Sequence, residues 1–329
     1  MTWVRHARYR MGTVWEAAVR ASHRPQALAA LHEAFEEVAQ LERLMSRFLP
    51  ISQVCAIADA AGRHAVPIAP ALYEVLTHAQ RIAAVSDRAC DITIGPLVSL
   101  WGRAEGTGVM PTPKEIDEAT ALTDSGRLLL SAKGPTAFLQ QAGMSLDLGA
   151  IGKGYALDAA VARLQRAGYT AGWVNAGGNV RVLGSWDRGV AVRDPVCPGR
   201  VRLQLAVTGG AVSTSAAYER SWNVGERSYG HLLDPRTGYP ASRCLSATVL
   251  APSGMLADAL STACFVLGPE QGAVVCHMFA GVEAFWFIQQ EQADVTQLVT
   301  TSVVSGRRRG CVPPWQPGVP GADAPRSLA

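Results

Sequence analysis

Apolar residues recur at helical spacing over residues 27–45, where Leu28, Leu31, Phe35, Val38, Leu41 and Met45 share one face and His32, Glu33, Glu36 and Glu37 lie away from it. That period predicts a long amphipathic helix. Leu72, Val75, Leu76, Ala79 and Ile82 repeat the pattern over 70–85. Thr112, followed by Pro113 and Glu115, reads as a capping box with proline at the first helical position, opening a helix over 112–122. The run Asp147-Leu148-Gly149-Ala150-Ile151-Gly152-Lys153-Gly154 leads into a helix carrying Leu157, Val161 and Leu164, which Gly168 stops. Strand patterning then takes over. Residues 173–176 and 180–183 flank Gly177-Gly178, 190–192 and 201–207 follow, and 282–288 with 295–304 are placed to close the sheet. From Gly306 onward Pro, Gly and Arg dominate without any period, which predicts a disordered tail over 306–329. No repeat or composition break divides residues 1–305. The expectation is one α+β domain with mixed sheets flanked by helices.

Composition narrows the partners. The chain has 329 residues, 48% of them hydrophobic and 17% charged, enough to bury a large core. A net charge of +3 is too small to argue for nucleic acid, and Arg307-Arg308-Arg309 reads as part of a solvated tail. The seven cysteines are scattered and lack metal-ligand spacing, and several sit in apolar runs such as that around Cys264. They read as small buried hydrophobes, without a zinc site or a disulfide framework. The first ten residues carry charge with no apolar stretch behind them, and no apolar run approaches a membrane span. A cytoplasmic chain with no transmembrane segment is expected.

Five segments carry candidate chemistry. Asp258 and Thr262 stand four apart on a predicted helix, opposite an apolar stripe of Leu256, Leu260, Ala263, Cys264 and Leu267. A carboxylate and a hydroxyl on one turn suit an oxygen-seeking cation such as Mg²⁺ better than Zn²⁺; taken alone, the pair is better explained as an ordinary polar face behind a cap at Ser253. The glycine-rich entry at 147–154 lets backbone N–H groups meet a phosphate at a helix N-terminus. It is neither a Walker loop nor GxGxxG, and Asp147 with Lys153 also reads as a surface pair. Residues 228–240 include Asp234-Pro235-Arg236-Thr237-Gly238, a turn that holds His231 rigidly. Asn175-Ala176-Gly177-Gly178-Asn179 is a hairpin turn or a close-approach surface. In Ala89-Cys90-Asp91, the carboxylate of Asp91 accepts from a ligand or caps its own turn.

Taken in order, these segments resemble the ApbE family of FAD:protein FMN transferases. The resemblance rests on residues 11–13, 44–48, 90–101, 146–158, 174–179, 214–215, 218–220, 231–240 and 257–268, and so spans 11–305. It implies an α+β fold with FAD as substrate in a central groove and Mg²⁺ across its pyrophosphate. By the same resemblance, Asp258, the Thr262 hydroxyl and the Ala150 carbonyl match metal-binding positions. Met11, Phe48, Ala89, Cys90, Asp91, Asp147, Lys153 and Leu232 match flavin-contacting ones, and His231, with Asp258, matches the catalytic group. The implied reaction moves FMN from FAD to a threonine or serine hydroxyl of an acceptor protein and releases AMP. An Mg²⁺-dependent FAD diphosphatase and a non-catalytic FAD binder are the alternatives. Departures from the family pattern are Phe48 in place of Tyr, Ala58 in place of Asn, Asn179 in place of Asp and Ala216 in place of Gly. The lipoprotein signal common in the family is not seen.

Overall fold

In the computed structural model, which describes residues 1–197, 199–217, 221–224, 227–289 and 296–301, the chain opens with a hairpin that the apolar pattern does not announce. Strands β1 (Thr2–Arg10) and β2 (Thr13–Ala21) pair antiparallel across Met11-Gly12. On β1 only Val4 is fully buried, so a strand carrying Arg5, Arg8 and Arg10 reads as a charged terminus. Both turn residues have positive φ, 46° and 74°, as a two-residue hairpin loop matched to strand twist requires.

There follow α1 (Arg24–Met45), α2 (Gln53–Asp59), β3 (Val66–Pro67), α3 (Pro70–Val85), α4 (Gly95–Thr107), α5 (Pro113–Ala121), β4 (Leu128–Ser131), β5 (Thr136–Leu139) and α6 (Gly152–Arg166). Strands β6 (Gly172–Ala176), β7 (Asn179–Leu183), β8 (Ser185–Arg193), β9 (Val201–Thr208), β10 (Ala211–Ala216), β11 (Ser221–Val224), β12 (Arg227–Gly230) and β13 (Ser246–Ala251) come next. Helix α7 (Gly254–His277), β14 (Glu283–Gln289) and β15 (Thr296–Thr300) complete the described chain.

The main sheet has the order β1-β2-β6-β7-β10-β13-β14-β15, and its ladders are antiparallel. One face is covered by α1, α6 and α7 side by side; the other is covered locally by the β8–β9 hairpin. Strand β14 shows the division: Ala284 and Trp286 join the helix-side core, whereas Phe285 and Phe287 join the hairpin-side core. Alternate side chains of a strand point to opposite faces, so a continuous apolar run marks a strand buried on both sides.

The helices expected at 27–45, 70–85 and 112–122 are α1, α3 and α5, and the Thr112–Glu115 capping box is present. Gly168, at φ 87°, follows the end of α6. The strands expected at 173–176, 180–183, 190–192, 201–207 and 282–288 are β6, β7, β8, β9 and β14. The last expected strand, 295–304, overlaps β15; its residues 295 and 302–304, the boundary at 305, the 306–329 tail and residues 218–220 lie outside the described residues.

Two expectations need correction. Helix α7 is long and apolar enough to cross a membrane by length and composition, although 72% of its most apolar window is buried in the protein. Asp258 and Glu270 interrupt the run in sequence, which hid it, and Gly268 (φ 75°) with Pro269 kinks it. Among the cysteines, Cys90, Cys244, Cys264 and Cys276 are buried as expected, but Cys197 is exposed.

Candidate active site

The site is built where the first turns of α6 and α7 cross. A Cβ on Gly154 would lie 2.2 Å from the Gly254 carbonyl oxygen and 2.7 Å from Asp258 Cβ, and one on Gly254 would lie 2.5 Å from the Gly154 oxygen. Only this glycine pair lets the backbones touch. The first N–H groups of a helix have no partner within it, and here Gly154 N–H donates to Asp258 Oδ2 at 2.8 Å. Ser253 caps α7 through Leu256 N–H, while Asp158 of α6 accepts from Gly254 N–H at 2.8 Å, Met255 N–H at 2.9 Å and Arg181 Nε at 2.7 Å.

Asp258 was expected on a face opposite the buried stripe. It is instead 4% exposed, because α6, β7 and β10 close over that side of α7. Asn179 Nδ2 donates to its Oδ1 at 2.8 Å, and Lys153 Nζ stands 3.8 Å from the same oxygen. Ser213 Oγ donates to Asn179 Oδ1 at 2.6 Å. One turn on, Thr262 Oγ1 is 3.3 Å from Ser215 Oγ, which also meets Ser261 Oγ at 2.9 Å. Ser213, Ser261 and Arg47 are site residues that motif reading missed. For Ser213 the available signal was its alternation with Ser215 on β10, the mark of a polar strip on one face of a strand.

Thr262, Ala150, Asp147, Ala89, Cys90 and Asp91 line one small cavity with Ile94, Leu233 and Pro235. Its volume of about 50 Å³ has room for a few water-sized groups. Segments scattered over the sequence thus converge. The turn before the cavity is strained: Asp87 and Arg88 both have positive φ, 49° and 60°, a region most side chains avoid. Asp91 Oδ1 accepts from Thr93 N–H at 2.9 Å and Thr93 Oγ1 at 2.6 Å, and Oδ2 accepts from Ser125 N–H at 3.0 Å and Arg88 Nε at 3.2 Å. Asp91 thus caps its own turn, ties it to Ser125 and still lines the cavity. Beside it, burial first, then the charges of Asp91 and Asp258, push the Cys90 thiol up to about 12.

Asp147 and Lys153 do not pair. Asp147 accepts from Arg47 Nη1 and from Gly149 N–H, each at 2.7 Å, while Lys153 Nζ donates to Gly149 O at 2.7 Å. Phe48 follows Arg47 on a loop and is 81% exposed, with the Arg47 guanidinium 5.3 Å from its ring. Met11 N–H is held by Glu42 Oε1 at 2.7 Å. Ala58 lies on α2, and Ala216 ends β10, buried. The glycine pair 177–178 is both a hairpin turn and a close approach, since a Cβ on Gly177 would meet Thr13 Oγ1 at 2.6 Å. His231 and Leu232 are half-buried just past β12. Their loop is bolted down by Trp101 Nε1, which donates to Gly238 O at 2.7 Å, and by Asp234, which accepts from Arg236 Nε and Nη2 at 2.8 Å.

Among the described residues no three His, Cys, Asp or Glu side chains gather as a metal cluster. With Asp158 committed to two N–H groups and Arg181, the donors left at the crossing are the Asp258 carboxylate, hydroxyls and a cavity-lining backbone segment at Ala150. Such an all-oxygen set fits Mg²⁺, which takes one or two carboxylates and completes its shell with water and phosphate, and does not fit Zn²⁺.

An α+β protein with oxygen donors where two helix N-termini cross, and a lysine on the first turn of one of them, has the features that suit a phosphate-bearing ligand. The ApbE family model matches residues 11–286, and the chain belongs to that family. It is 34% identical over 263 residues to an FAD:protein FMN transferase of Klebsiella pneumoniae, covering 79% of this chain and 82% of that one. It is also 34% identical to an FAD:protein FMN transferase of Treponema pallidum, covering 80% and 78%. The crystal structure of an ApbE protein from Thermotoga maritima superposes with a TM-score of 0.82 at 28% identity, covering 94% of this chain and all of that one.

Proposed function

We propose that this chain takes FAD as substrate and, with Mg²⁺, transfers its FMN half to a threonine or serine hydroxyl of an acceptor protein, releasing AMP. The observation that carries this reading is the buried Asp258, clamped by Gly154 N–H and Asn179, with Thr262 one turn further on. Relatives named FAD:protein FMN transferase support it.

Asp258, Thr262 and the Ala150 carbonyl would hold Mg²⁺, whose chemistry when bound is Lewis-acid relief of charge on the FAD pyrophosphate. Lys153 and the N-terminus of α6 favour the same negative charge. The acceptor hydroxyl oxygen bonds to the phosphorus on the FMN side. The bond from that phosphorus to the bridging oxygen breaks, and AMP leaves with the electron pair. His231 takes the hydroxyl proton. On the flavin side, Met11, Phe48, Ala89, the neutral Cys90 thiol, Asp91, Asp147 and Leu232 supply packing and shape.

The test mixes protein, FAD, Mg²⁺ and an acceptor domain and weighs the acceptor. A gain equal to an FMN phosphoester, lost in Asp258→Ala, is the expected result. FMN and AMP released at a rate the acceptor does not change would replace transfer with hydrolysis, and FAD left intact would leave a binder.

A further inference from the structure

The charges around Asp258 nearly cancel before any ligand arrives. The other acid at the helix crossing, Asp158, is spent on Gly254 N–H, Met255 N–H and Arg181, and Lys153 Nζ already stands 3.8 Å from Asp258 Oδ1. Asn179 supplies a neutral donor to that oxygen at 2.8 Å. Its orientation is forced. An ionised carboxylate only accepts, so the amide nitrogen must face Asp258, and the amide oxygen then receives Ser213 Oγ at 2.6 Å. Gly154 N–H occupies Oδ2 from the other side at 2.8 Å. What is left for a cation is one partly engaged carboxylate with a lysine beside it, a threonine hydroxyl and a carbonyl. Mg²⁺ sheds its water reluctantly and needs more negative charge than that. A diphosphate supplies the missing charge.

We propose that Asn179 and Lys153 set this near-neutral balance, so that the cation is not held in advance but is taken up together with a dinucleotide diphosphate. Each then tightens the other, because coupling between two bound ligands is reciprocal. Asn179 acts through Asp258 and is a positioning residue; replacing its amide by a carboxylate builds a second acid onto the site and gives the free protein a cation site. The inference rests on the reading of FAD as the diphosphate ligand.

Two measurements test it, neither of them turnover. In the first, Mn²⁺ is titrated into FAD-free protein and the free ion is followed by electron paramagnetic resonance. The wild type should show no saturable site below the millimolar range, and both Asn179→Asp and Lys153→Met should gain one, tightening Mn²⁺ by about ten-fold or more. In the second, FAD affinity is read from flavin fluorescence with and without Mg²⁺. Mg²⁺ should strengthen FAD binding to the wild type by about ten-fold, and less in Asn179→Asp. Wild-type protein that binds Mn²⁺ without FAD as tightly as both variants, or FAD affinity indifferent to Mg²⁺, overturns the proposal. Protein that binds no FAD under any metal condition overturns the FAD reading instead.

Discussion

Cys90 and Gly154 show how far single residues are governed by what surrounds them. Burial keeps the Cys90 thiol protonated, with its pKa raised to about 12, although it lines the cavity. A thiol reacts as its thiolate, so Cys90 should resist iodoacetamide at pH 8 while the exposed Cys197 is alkylated; peptide mass mapping distinguishes the two. Gly154 is a different case, since its missing side chain is what the Gly254 carbonyl oxygen and Asp258 Cβ fill. Gly154→Ala has no flexible neighbour to push aside. The two helices must part, at a cost of about 2 kcal/mol or more, read by urea unfolding, and Asp258 loses its backbone donor. The sequence around 147–154 advertises a helix entry for a phosphate, and the glycine's second duty toward α7 is invisible there because its partner is 100 residues away.

Among the elements, α7 decides the site and is held at its first turn from α6. Asp158 binds two of its N–H groups and Arg181 at once, and Arg181 also donates to Gly209 O and Gly210 O at 2.6 and 3.0 Å. Asp158→Ala leaves those two N–H groups and a partly buried guanidinium without that partner. Each lost partner of a buried group costs on the order of 1–3 kcal/mol; the partial exposure of this pair discounts it, and we expect a loss of about 2 kcal/mol by urea unfolding. Asp158→Asn, which keeps an acceptor oxygen, should recover part of it. Periodicity made α1, α3 and α6 legible, because each is amphipathic, and its capping box announced α5. Periodicity located α7 too but misjudged its polar side, since the first half of the helix, around Asp258, has no solvent face to read.

Across the whole molecule, the eight-stranded sheet joins the first strand of the chain to the helix layer, and His6 sits at that junction, its ring 5.7 Å from that of Phe35. Burial chiefly, then the charges of Arg8 and His32, lower its pKa below the ordinary 6.5. The folded state therefore favours neutral His6. The stabilising contribution is present above pH about 6.5 and is lost as pH falls below it toward the folded value, because the unfolded chain takes up the proton first. Melting temperature measured from pH 7.5 to 5 should fall less steeply in His6→Gln than in the wild type.

By itself, the sequence determined the class of fold, most of the helices, the strands with clear apolar runs, and the residue types of a phosphate-and-cation chemistry. These are properties of local spacing, and local spacing is what a linear pattern records. Tertiary structure alone decided that β1 is a strand, that Asp91 ties its own turn to Ser125, that Asp147 pairs with Arg47 and not with Lys153, and that Asn179 and Ser213 orient Asp258. Each of the last two depends on groups far apart in the chain. Their hydrogen bonds come into being only when the helix N-termini cross and the sheet closes beneath them.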